Sequence, residues 1–88
     1  MNTTTAPNLN DTTDVAGWVV AKVALSVAAE GIPGHDLDTV MAHMTTDDVL
    51  NTIRADYDAR CDRGDNRGSA ASTVGLRALV AYYDAFNL

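Results

Sequence analysis

The chemistry-bearing residues of this chain are two histidines, one cysteine and a run of aspartates. His35-Asp36-Leu37-Asp38, followed by His43, has the donor types of a metal site. On a helix the two histidines would sit about 80° apart and could face one ion. A structural zinc takes four ligands and a catalytic one three protein ligands, and no third donor is placed by the pattern. The expectation is that no metal is bound, with His35 and Asp36 opening a helix and His43 suiting the negative end of its dipole.

The segment Asp62-Arg63-Gly64-Asp65-Asn66-Arg67-Gly68 also invites a reading. It departs from a calcium-binding EF-hand loop at its third position, Gly64, and its sixth, Arg67. Its Arg63-Gly64-Asp65 tripeptide matches that of integrin ligands, by chance in a chain without an export signal. A chain-reversing loop explains the glycines better. Cys61 falls on an apolar helical stripe near a C-terminal end, whereas reactive thiolates favour helix N-termini or cationic neighbours. It reads as a small buried hydrophobe. No Ser-His-Asp order, phosphate-cradling glycine loop or paired glutamates occurs, so neither enzymatic activity nor a cofactor is expected.

The charge balance narrows the partners. Among 88 residues, 12 acids oppose 6 bases, giving a formal charge of −6 and a pI near 4.4. Phosphate-backbone binders need clustered Lys and Arg, so nucleic acid is disfavoured. Eleven of the acids are Asp, five of the bases are Arg, and alanine occurs fourteen times. That bias fits a GC-rich coding sequence, as in actinobacteria and their phages, or a halophilic surface. A single cysteine rules out an intrachain disulfide. No positively charged leader precedes the first apolar stretch. That stretch, Val15 to Ala29, carries Lys22 and is shorter than the roughly 20 residues of a membrane span. A cytoplasmic protein without a membrane segment is expected.

Positioning these residues requires a fold, and the apolar periodicity predicts an all-α one: a small bundle of three long helices plus one short helix. Residues 1–10, rich in Thr and Asn, read as a flexible N-terminal arm, and residues 11–88 as a single helical domain. The first helix runs from about Thr12 to Glu30, capped by Asp11 or Thr12 and stopped by Gly31 and Pro33. Its valines, with Trp18 and Leu25, cover most of the circumference, as in a helix at the centre of a fold or in an oligomer interface. Ile32-Pro33-Gly34 is a turn, and a short helix spans Asp36 to about His43. Thr45 or Thr46 caps the next helix, which runs to about Asp62 with a buried stripe of Val49, Leu50, Ile53, Tyr57 and Cys61. Arg54–Asp58 and Asp56–Arg60 are spaced for i,i+4 ion pairs. After a polar loop from Arg63 to Ser69, the last helix begins at about Ala70 or Ser72 and ends at Phe86. Its bulky face (Leu76, Leu79, Val80, Tyr83, Phe86) is expected to pack inward. Its small-residue stripe (Val74, Ala78, Ala81, Ala85) is expected to face another helix.

Two functional classes follow. In the first, the chain is a non-enzymatic protein-interaction protein that self-associates as a homodimer through Trp18, Val74, Ala78, Ala81 and Ala85. A phage or mobile-element accessory protein binding a host protein would have this character. In the second, an acidic face of Asp47, Asp48, Asp58 and Asp62 imitates phosphates and inhibits a nucleic-acid-binding partner, in the manner of anti-restriction and anti-CRISPR proteins. A helix-turn-helix regulator ranks third. Its recognition helix would begin Thr46-Asp47-Asp48, where carboxylates meet phosphates, while Arg60, Arg63 and Arg67 lie at the far end.

Overall fold

The computed structural model describes residues 6–88, which form four helices: α1 (Thr12–Ala29), α2 (Leu37–Met44), α3 (Asp47–Asp62) and α4 (Arg67–Phe86). Each start has a side-chain cap. Asp11 accepts from the backbone N–H groups of Thr13 and Asp14, Asp36 from Thr39, Thr46 from Val49, and Asn66 from Gly68 and Ser69. These bonds satisfy amides that have no partner inside a helix. Between α1 and α2 the His35 N–H donates to the Ile32 carbonyl across a turn with Pro33 and Gly34 at its centre. Gly34 has φ +82°, open to glycine at no steric cost. Gly64 ends α3 at φ +92°. There the Asp65 N–H reaches the Arg60 carbonyl, and the Gly64 N–H reaches that of Cys61, the double bond pattern of a Schellman stop.

α1 lies at the centre and packs against all three other helices. Val15, Val19, Val20, Val23 and Val27 are fully enclosed together with Ala16 and Ala24. Each such valine contributes on the order of 1.5–3 kcal/mol by leaving water. α1 is long and apolar enough to cross a membrane by length and composition alone. Its valines instead line the bundle's own core, with Val40, Met44, Ile53 and Tyr57 opposite them.

α4 departs from expectation in two ways. It begins at Arg67, because Asn66 acts as its cap and takes Gly68 and Ser69 into the first turn. Its inward face is also different. Ala70, Ala71, Val74 and Tyr82 are buried, whereas Leu76 is 63% exposed and Val80 51%. The small residues at the start of α4 meet the valine surface of α1, and this leaves Leu76 and Val80 outward, while Leu79 and Tyr83 of the expected inward face do pack against the core. Val74 is therefore part of the internal core and does not belong to an outward self-association face.

The segment before α1 is tied to the bundle over its described part. The Asn8 N–H donates to the Asp14 carboxylate at 2.6 Å. Leu9 packs on the core, and its carbonyl accepts from the Tyr57 hydroxyl at 2.5 Å and from Arg67 at 3.2 Å. The expected arm is thus anchored at Asn8 and Leu9, and its first five residues lie outside the described ones.

Candidate functional site

The first half of α3 and the second half of α4 leave an open groove of about 410 Å³, with the end of α2 at its base. Met44, Val49 and Ile53 form one wall, and Ala78, Ala81 and Ala85 the other. Three small residues at i, i+3 and i+7 keep that wall low, so an approaching side chain can reach the groove floor. Asp48 and Thr52 stand at the edge. The structure therefore brings together three of the five residues expected at a self-association face and one of the four on the acidic face.

An aromatic cluster closes one end. Tyr82 and Phe86 lie 4.6 Å apart between centroids, and both histidines pack on them. His43 is 4.6 Å from Phe86, and His35 stands edge-on to Phe86 at 5.1 Å. His35 Nδ1 and the Tyr82 hydroxyl form a hydrogen bond of 2.6 Å. Burial pushes the Tyr82 hydroxyl up in pKa. A nucleophilic or general-base tyrosine needs the opposite shift. Among the described residues no group of three His, Cys, Asp or Glu could hold a metal ion. Helix spacing in the sequence set His35 and His43 toward one side, but their shared partners are Tyr82 and Phe86 of α4, which only the tertiary fold brings to them.

The remaining expected residues are dispersed. Trp18 is half-buried on the other flank of α4, beside Leu76 and Leu79, with the Lys22 ammonium 5.7 Å from its ring. It is not continuous with the alanine wall. Asp47, Asp48, Asp58 and Asp62 are all exposed, but they form two pairs at opposite ends of α3, about 15 Å apart along the axis. Asp58 is also engaged within the chain, accepting from the Thr12 hydroxyl at 2.7 Å. Of the two expected ion pairs, Asp56–Arg60 forms at 3.1 Å, and Asp56 additionally binds Arg77 of α4 at 3.0 Å. Arg54 turns instead to Asn51.

Cys61 is half-buried rather than enclosed, and Arg67 lies 3.7 Å from its sulfur. That arginine also neighbours Tyr57, whose hydroxyl is raised in pKa chiefly by burial. The pair serves to fasten Leu9.

The feature that sequence reading missed is the outward face of α4. Leu76, Val80, Phe86 and the following Leu88 supply four of the six large hydrophobic side chains exposed among the described residues. Thr73, Arg77, Val80 and Asp84 lie on one stripe at spacings of four, three and four, which is the signal that could have revealed it. Comparison with protein families, curated proteins and solved structures finds no match to this chain.

Proposed function

We propose that this is a non-enzymatic protein-interaction protein that self-associates through the apolar surface of α4. The observation that carries this reading is the exposure of Leu76 and Val80 on one side of α4, with Phe86 and Leu88 exposed at its C-terminal end, beside a groove walled by Ala78, Ala81 and Ala85. Large apolar side chains gathered on one element mark interaction surfaces in small proteins. The cytoplasm is the compartment this reading assumes. A phage or mobile-element accessory role, with a host protein as further partner, is compatible with it. Sedimentation velocity at tens of micromolar tests the reading: a dimer is expected, and a monomer overturns it.

The second reading, an acidic inhibitor of a nucleic-acid-binding protein, draws on one observation. Asp47, Asp48 and Asp62 are exposed and accept no side-chain hydrogen bond among the described residues. Exposed carboxylates commonly serve solubility, and the gap between the two pairs gives them no continuous phosphate-like track. Replacing Asp47, Asp48 and Asp62 by Asn should abolish binding to such a partner while leaving self-association intact.

A further inference from the structure

Resting on the proposal that the chain self-associates, the pattern of α4 identifies how. We infer that α4 pairs with α4 of a second copy, antiparallel, about a two-fold axis beside Val80 and Ala81. Arg77 of each copy then lies opposite Asp84 of the other.

Arg77 and Asp84 are seven residues apart and so lie within about 20° of each other on the helix. Val80 lies between them on the same stripe. Both charged residues and Val80 are exposed, Arg77 with 63% of its side chain accessible. An antiparallel pair centred between positions 80 and 81 sets position 77 of one helix level with position 84 of the other. Two reciprocal Arg–Asp pairs therefore flank the axis, where Val80 of each copy lies level with Ala81 of the other. A parallel pair would instead set Arg77 against Arg77 and Asp84 against Asp84, so charge decides the direction.

The surrounding residues fit the same arrangement. Ala81 presents only a methyl group beside the axis and lets the helix backbones approach. Leu76, one turn before Val80, extends the apolar surface on one side of the axis. Arg77 donates to Asp56 through Nε, and a guanidinium has further N–H donors in the same plane. It can therefore hold Asp56 within its own chain and Asp84 across the axis. Asp84 accepts no side-chain hydrogen bond among the described residues and is free to receive it. A two-fold contact of this kind is self-complementary, and a second copy supplies every group it requires.

The test uses the full chain and three sedimentation runs. Arg77→Asp leaves two negative charges on the stripe, and Asp84→Arg leaves two positive ones. Each variant alone should be monomeric, with its dimer dissociation constant raised by at least about tenfold. An equimolar mixture should recover a heterodimer, because every cross-axis pair is then of opposite sign. Recovery on mixing also shows that both variants are folded, and far-ultraviolet circular dichroism checks this independently. Variants that dimerise like the wild type, or that stay monomeric when mixed, overturn the antiparallel pairing. If the wild type dimerises in either case, self-association itself stands. A monomeric wild type overturns both.

Discussion

α1 and α4 are the two apolar-rich helices of this protein, and the fold uses them in opposite ways. α1 turns its valines onto the other three helices and leaves Leu25 as its one large exposed aliphatic side chain. α4 buries alanines and one valine in its first half, then presents leucine and valine to solvent. The difference shows that side-chain size does not choose the buried face. A central helix already rich in branched side chains is best met by small residues, because close-packed interiors tolerate neither voids nor overlap. Leu76 and Val80 of α4 are then left exposed.

The same change placed in each helix should have opposite consequences. Val19→Asp puts an unpaired carboxylate into the centre of the core and should cost about 4 kcal/mol or more, enough to unfold the domain. Val80→Asp should alter the stability of the monomer by no more than about 0.5 kcal/mol, yet it should abolish the dimer. Urea denaturation at high dilution reads the first effect, and light scattering at high concentration the second. Equal destabilisation by the two changes would remove the distinction between the helices.

A smaller effect concerns the anchor before α1. Tyr57→Phe removes the bond to the Leu9 carbonyl and should cost about 1 kcal/mol, since Arg67 still holds that oxygen. Hydrogen exchange should then quicken at the amides from Asp11 to Val15 and stay unchanged in α4.

How much was legible in the sequence follows from how local each feature is. Asp11 and Thr46, each one of two caps the sequence offered, and the stops at Gly31 and Gly64 are settled by a few neighbouring residues, so the helices they bound could be placed, and Asp36, expected as the first residue of α2, proves to be its cap. Asn66 was missed because Gly68 and Ser69, inside its first turn, carry the composition of a loop. The inward face of α4 was only partly placed, with Leu79 and Tyr83 packed on the core but Leu76 and Val80 outward and Val74 inward, because its partner surface on α1 is a tertiary fact. The same holds for Tyr57 gripping Leu9 and for the two histidines meeting on Tyr82 and Phe86. Of the expected interface, Ala81 and Ala85 are outward, Ala78 lines the groove, Val74 is internal, and Trp18 belongs to a different flank.

The smallest expected effect is one of pH. Hydrogen bonds from the Thr39 side chain and backbone hold the Asp36 carboxyl below its ordinary value of 3.8. A lowered folded-state value means that its contribution is present above pH 3.8 and is lost as the pH falls below it. Asp36→Asn should therefore differ from the wild type less at low pH than at neutrality. Thermal melts of both proteins across that range read the change, and a constant difference would contradict the cause assigned.

If the chain self-associates as proposed, the aliphatic face of α4 is covered by another copy. Sedimentation equilibrium of the wild type and of Val80→Asp, over a concentration series reaching tens of micromolar, tests it most directly. A monomer–dimer equilibrium in the wild type, lost in the variant while its helicity is retained, is the predicted result. A wild type that stays monomeric throughout, or a variant that dimerises equally well, would contradict it.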